Sequence, residues 1–355
     1  MRIAVVGAGI VGLSTTYALR RYPVSVRCYE AGTPMGGRSR GGTRIFRLAH
    51  TTSSLVRYAA RSRDGWTRWE RTAGRTLVGR ESTVVSGDDA AARYAAMRAV
   101  GVRCGLYSDV AAVPGLPARD GTPGPFLVDP AGGVIRAEAT GEYLAAAVRR
   151  SLQLDAVQRI TVRGDTATIH SAGGAWECDS VLIAAGTGTA ALAGPLGLRV
   201  PAELEHAFRF TFPLAATAGP DGGLLPPLRC WIERSGSWKD GFTSYGHLAG
   251  PGRWAIGGHL PAADTAWGLG PEEARRRAES VVTTYVAEFL DDIVDPNPVD
   301  TVYCAVTPGL GDGVHVDRAG PVLAVWGENL FKFAPALGAD LAAAVAARGL
   351  PDEVP

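Results

Sequence analysis

Residues 2–30 place the tightest limit on the fold. Arg2-Ile3-Ala4-Val5-Val6 is a short apolar, β-branched run of the kind that forms a buried parallel strand. Gly7-Ala8-Gly9-Ile10-Val11-Gly12 follows without a spacer, and Leu13 to Tyr22 has helical character, with Leu13, Tyr17, Ala18 and Leu19 on one face. Val24 to Glu30 reads as a second strand ending in a carboxylate. Strand, glycine turn, helix, strand and acid in that order make a dinucleotide-binding unit. Gly7 permits the tight turn, Gly9 lets the backbone approach a pyrophosphate, and Gly12 lets helix and strand pack closely. The helix start offers N–H groups and the positive end of its dipole to phosphate. Glu30 can accept hydrogen bonds from ribose hydroxyls, which argues against a 2′-phosphate and so against NADP. The same apolar start has the composition of a signal peptide. It lacks a clear small-residue cleavage site, and its strand–turn–helix order is unbroken.

A chain of 355 residues can hold two domains and a sizeable core. With 20% charged and 46% hydrophobic residues it is globular, and a net charge of +1 argues for neither a nucleic-acid nor a membrane partner. The longest uncharged run, Val181 to Leu198, contains several glycines and Pro195, so it reads as strand, turn and helix rather than a membrane span. Cys28, Cys104, Cys178, Cys230 and Cys304 are scattered and show no CxxC spacing. That pattern predicts a reducing, cytoplasmic setting with neither a disulfide framework nor a metal site.

Basic residues are almost all arginine; the lysines are Lys239 and Lys332. Lys239 falls in a Ser-Gly-Ser-Trp-Lys-Asp-Gly turn and is expected to be solvated. Lys332 lies among Leu330, Phe331 and Phe333, where an idle charge would be costly, so a functional role is expected. The segment Gly36 to Arg47 is rich in glycine, hydroxyls and arginine. Arg44 and Arg47 either point inward or decorate a flexible surface loop. Helices are expected over Leu55–Glu70, 89–100, Ala137–Ser151, Pro271–Asp292 and Phe331–Arg348, and a Pro/Gly-rich loop over 112–125. Ser180 to Gly188 is an apolar strand running into a Gly/Thr turn, the shape of a second place where backbone passes close to a dinucleotide. From Ala202 to Asp264 the pattern turns to β. The fold class expected is α/β: a discontinuous Rossmann-like domain over 1–75, 135–202 and 304–355, with an antiparallel-sheet substrate domain over 76–134 and 203–303.

These residues resemble the flavin amine oxidases of the D-amino-acid-oxidase superfamily, in particular the monomeric sarcosine oxidase type, with pipecolate oxidase and the cyclic-imino-acid oxidases of natural-product pathways. The resemblance covers most of the chain. It is carried by Gly7–Gly12 with Glu30, by Gly42-Thr43-Arg44-Ile45-Phe46-Arg47, by Ile183-Ala184-Ala185-Gly186, by Cys304-Ala305-Val306-Thr307 up to Asp317, and by Phe331-Lys332-Phe333. It implies bound FAD, held by Gly7, Gly9, Gly12, Glu30, Arg38, Ser39, Thr43, Arg44, Gly186 and Thr307, with Val157 beside the adenine. Cys304 falls where the family attaches flavin through a cysteinyl thioether; a buried strand cysteine is the plainer alternative. Arg47 and Lys332 fall on the family's substrate-carboxylate pair. His259 matches an active-site histidine, although a satisfied core histidine on a strand fits as well. The catalytic candidates are then Arg47, Lys332 and His259.

The departures matter. The family's glycine-rich turn before Phe-Lys-Phe is Glu328-Asn329-Leu330 here, its active-site tyrosine after the flavin cysteine is Val306, and a second tyrosine is Gly258. Its oxygen-activating lysine maps to Ala255, with Arg253 on the same strand face as the expected substitute. The resemblance implies FAD-dependent oxidation of the C–N bond of an amino acid or cyclic imino acid, in a re-shaped pocket that disfavours sarcosine. The electron acceptor is O₂ or another molecule. The alternatives are a flavin dehydrogenase that passes electrons to a partner, and a non-catalytic FAD-holding subunit of an amine dehydrogenase complex.

Overall fold

The computed structural model describes residues 1–118, 122–215, 227–236, 238–239, 241–351 and 354–355. Residues 119–121 of the expected loop at 112–125, and Ser237 and Asp240 beside Lys239, lie outside the described residues.

The first strand, β1 (Arg2–Val6), runs straight into the glycine turn and helix α1 (Ile10–Leu19), then β2 (Ser25–Glu30). β1 is the inner strand of a six-stranded sheet. It pairs in parallel with β2 on one side and with Ser180–Ile183 on the other. Val322–Trp326 adds in parallel beyond Ser180–Ile183, and His315–Ala319 closes that edge antiparallel. Leu152–Leu154 pairs with β2 at the opposite edge. The strand order thus reverses at β1, and the crevice beyond its C-terminal end is where such sheets bind nucleotides. The continuous apolar runs follow from burial on both faces.

Close packing at α1 depends on missing side chains. A Cβ on Gly12 would lie 1.8 Å from the Gly7 carbonyl oxygen, and one on Gly338 would lie 2.6 Å from the Ser14 backbone. The second clash marks where the C-terminal helix Ala334–Ala347 lies against α1, with Leu337, Leu341 and Val345 fully buried between the layers. The preceding turn, Leu330–Phe333, is a separate 3₁₀ segment, so the expected helix begins later, with Pro335 in its first turn.

The second layer is an eight-stranded sheet built from residues 83–86, 105–107, 126–129, 205–213, 230–233, 243–250, 253–259 and 300–306. It is mixed rather than purely antiparallel, because Cys230–Glu233 pairs in parallel with Thr83–Ser86. The long helix Pro271–Phe289 covers one face with Ala274, Ala278, Val282, Tyr285 and Val286. A short ribbon joins the two layers: β3 (Thr43–Phe46) pairs antiparallel with Gly133–Arg136. Helix α2 (Ser53–Ala73) follows β3, capped by the Thr52 side chain and closed by the left-handed Gly74.

Candidate active site

The nucleotide end of the site is built as the glycine pattern requires. Gly7 has φ +100°, and a Cβ there would meet the Ala184 carbonyl oxygen at 2.5 Å. The Glu30 carboxylate braces the turn, accepting the Ala8 and Gly32 N–H groups at 2.9 Å each. Each oxygen keeps a lone pair for a ribose hydroxyl. Ser39 Oγ accepts the Ile10 N–H at 2.9 Å, so it fastens loop 36–42 to the start of α1. Gly186 has φ +59° and lies beside the Arg38 side chain. Val157 is half-buried and packs in the cluster that contains Ala185.

The segment after this loop points inward. Arg44 donates to the Thr43 carbonyl at 2.7 Å and to the Arg40 carbonyl, and it lies over the Phe331 ring. Arg209, from the strand Glu205–Pro213, donates to the same Thr43 carbonyl at 2.8 Å. His247 Nε2 lies 2.9 Å from Thr43 Oγ1. Burial lowers the pKa of both guanidinium groups, and each group's charge adds to burial in holding His247 well below its ordinary value. His247 is therefore neutral at pH 7, while arginine stays charged.

Strand alternation puts Tyr245, His247, Ala255, Arg209 and Cys304 on one face of the large sheet. His247 and Thr211 stand opposite Ala255, and Tyr245 and Arg209 opposite Gly257. Cys304 stands opposite Ala207, with its Sγ 4.0 Å from the Arg38 carbonyl. Arg253, the expected substitute cation, is exposed at the outer end of its strand; the buried cation on this face is Arg209, at 7% exposure. Glu328, in place of the family's glycine turn, bonds the Arg38 guanidinium and accepts the Thr307 N–H at 2.7 Å. His259 is exposed by surface area, with Nδ1 3.0 Å from Thr243 Oγ1. Protein crowding still lowers its pKa; Arg234 adds to that and Asp312 opposes it.

Arg47 and Lys332 do converge, and what they hold is a carboxylate of this chain, that of Asp312. Lys332 Nζ donates to Asp312 Oδ1 at 2.9 Å, and Arg47 Nη2 pairs with Oδ2. Asn329 Nδ2 donates to Oδ1 at 3.0 Å, and His50 Nδ1 lies 3.3 Å from Oδ2. Lys332 is 3% exposed. Burial pushes it down to about 7, with Arg47 adding to the fall and Asp312 opposing it. Burial alone would raise the Asp312 pKa, but Lys332 and Arg47 outweigh it and hold the carboxyl far below its usual range. His50 is fully buried, and desolvation with the two cations keeps it neutral.

Asp129 positions this cluster from behind. Its Oδ2 accepts the Leu48 N–H and, at 3.2 Å, the Ala49 N–H; its Oδ1 accepts the Ala131 N–H at 3.1 Å. These bonds fix the backbone between Arg47 and His50. Ser62 Oγ and Trp66 Nε1, both from α2, donate to the Lys332 carbonyl at 2.8 and 2.9 Å. Among the described residues no group of His, Cys, Asp and Glu is arranged to hold a metal.

The match that decides the family spans residues 2–344: it is to the FAD dependent oxidoreductases known as DAO. The chain belongs to that family. Similar solved structures include NikD, described as an unusual amino acid oxidase essential for nikkomycin biosynthesis, at 21% identity and TM-score 0.78, with 97% of this chain and 93% of that one covered. L-proline dehydrogenase from P. horikoshii has 16% identity and TM-score 0.77, covering 98% and 94%. Glycine oxidase from Geobacillus kaustophilus has 18% identity and TM-score 0.72, covering 99% and 96%. No curated protein sequence matches the chain. As a DAO-family oxidoreductase the protein uses FAD, and its residues fit that cofactor: Gly7 and Gly12 leave no room for a Cβ, and the half-buried Arg44 and buried Arg209 share the Thr43 carbonyl beside the sheet face that carries Cys304.

Proposed function

We propose that this DAO-family enzyme oxidises the C–N bond of an amino acid or cyclic imino acid. One observation carries the reading: Arg47 and Lys332, on distant parts of the chain, grip a single carboxylate in a dry recess. The same donors suit a substrate carboxylate, and two charge-assisted bonds fix its position and tilt. Holding that end orients the carbon–nitrogen bond, which is catalysis by positioning. FAD supplies the hydride acceptor when bound. Asp129 and α2 keep the clamp rigid, His50 stays neutral beside it, and His259 stands toward solvent, where it can hydrogen-bond a substrate nitrogen. The similar NikD, proline dehydrogenase and glycine oxidase folds support an amino- or imino-acid substrate.

The further reading is a flavin joined covalently to Cys304. The free thiol beside loop 36–44, on the sheet face that also carries Arg209, supports it. A cytoplasmic setting is supported by five free cysteines. The test of the function is anaerobic addition of amino and imino acids to the yellow holoenzyme, with loss of flavin absorbance as the readout.

A further inference from the structure

We propose that Asp312 is a built-in carboxylate: it fills the Arg47–Lys332 clamp of the empty enzyme and is exchanged for the carboxylate of the substrate. The proposal rests on reading that pair as the substrate clamp. Both Asp312 oxygens are engaged, Oδ1 by Lys332 and Asn329 and Oδ2 by Arg47, with His50 Nδ1 3.3 Å from Oδ2 and 3.2 Å from Arg47 Nη1. A second carboxylate cannot take those same N–H groups while Asp312 keeps them. The arrangement also explains how an empty site tolerates two desolvated cations. A buried charge whose partner is missing is strongly destabilising, and an internal anion removes that penalty.

The chain around Asp312 is suited to leaving. It lies in Thr307-Pro308-Gly309-Leu310-Gly311-Asp312-Gly313, where Gly309 and Gly311 take left-handed φ values of +74° and +61°. Among the described backbone–backbone hydrogen bonds, none involves residues 308–313. The ends are anchored: the Thr307 N–H on Glu328, and the Val314 N–H on the Pro355 carbonyl at 3.3 Å. Gly309 and Gly311 are exposed, and the Asp312 side chain is 15% exposed. An outward swing therefore breaks the four side-chain contacts of Asp312 and leaves the apolar core intact. The exchange replaces one carboxylate by another, so the charges facing Lys332 from Arg47, Arg93 and the bound anion stay the same, with His50 neutral throughout.

The test uses the FAD-loaded holoenzyme with acetate and benzoate as probes, followed by calorimetry and thermal unfolding. Asp312→Asn keeps the size of the side chain but removes the charge and turns one acceptor oxygen into an amide N–H₂ that cannot accept from the clamp. It is expected to bind both probes at least tenfold more tightly than the wild type. It is also expected to unfold at a lower temperature without ligand and to recover when ligand is added. Unchanged or weaker binding in Asp312→Asn, while Arg47→Met still loses the probe, overturns the exchange and leaves the clamp standing. Loss of binding in none of Arg47→Met, Lys332→Met and Asp312→Asn overturns the clamp itself. Should Asp312→Asn fail to fold, the wild type decides through proton uptake on benzoate binding, measured at pH 7.5 in buffers of different ionisation enthalpy. Exchange gives almost none. Uptake approaching one proton, as a second anion joins Asp312 and raises Lys332, contradicts it.

Discussion

Lys332 Nζ lies 2.9 Å from Asp312 Oδ1, although Lys332 sits in the 3₁₀ turn Leu330–Phe333 and Asp312 is borne on a separate glycine-rich segment. One of the two lysines in the sequence is thus held by an anion that it shares with the buried Arg47. A clamp for one carboxylate accounts for that pairing.

Truncating either cation should weaken carboxylate binding. Measured in the Asp312→Asn background, where no internal carboxylate competes, Arg47→Met or Lys332→Met should cost benzoate about 2–3 kcal/mol, the scale of a lost charge-assisted bond. Lys332→Arg should not restore it, because a planar fork points its donors differently from an ammonium. Calorimetric affinities equal to the parent would remove the pair from recognition.

Asp129→Ala leaves the Leu48, Ala49 and Ala131 N–H groups without their acceptor. The expected loss of stability is about 1–3 kcal/mol, with a raised KM because the backbone carrying Arg47 loosens. Urea unfolding and steady-state kinetics check both; a destabilised protein with unchanged KM would make Asp129 purely structural.

Acid sensitivity should trace to the buried imidazoles. His50 and His247 have folded-state pKa values well below the ordinary histidine value. As pH falls through about 6.5 the unfolded chain takes up protons that the folded one refuses, so stability is full above that pH and declines below it. The slope per histidine is about 1.4 kcal/mol per pH unit. Asp129, which burial raises to about 6, takes up a proton in the folded state over the same range and opposes the decline. Urea titrations between pH 6.5 and 5.5 should therefore be compared between the wild type and His50→Gln with His247→Gln, which should lose less stability on acidification; identical profiles would contradict the assignment.

Reoxidation by O₂ should depend on Arg209. Ala255 cannot supply a charge, and Arg253 faces solvent, whereas Arg209 is desolvated on the same sheet face. A fixed cation in a dry site stabilises the superoxide-like charge that develops. Arg209→Met should slow stopped-flow reoxidation at least about tenfold, or ~1.4 kcal/mol in the barrier, and Arg253→Ala should leave it unchanged. The reverse result would return the role to Arg253.

Much of this was legible in the sequence because local chemistry repeated the global answer. The Gly7–Gly12 turn needs missing side chains in any sequence that folds this way, and Lys332 stands out as a charge among apolar neighbours. The direction of Arg44 and Arg47 could not be read, since the Phe331 ring under Arg44 and the Asp312 carboxylate on Arg47 are both distant in the sequence. Asp312 gave no signal: Gly-Asp-Gly is ordinary turn chemistry, and only the fold brings it to Lys332. The shift of the buried cation to Arg209 was equally hidden. It depends on strand register, with Arg209 opposite Gly257 and two residues from the partner of Ala255.

Covalent attachment is tested by acid. Flavin should stay with the precipitated wild-type protein and be released from Cys304→Ala. Release from both would exclude the thioether while leaving bound FAD in place.

The central claim, oxidation of a C–N bond in a substrate held by its carboxylate, is tested most directly by anaerobic flavin bleaching with matched pairs of amines. Each pair is an amino or imino acid and the same molecule without its carboxylate. The expected result is bleaching by at least one acid, little or none by its decarboxylated partner, and loss of the difference in Arg47→Met. Equal bleaching by both members of every pair, or bleaching by none of the acids, would contradict it.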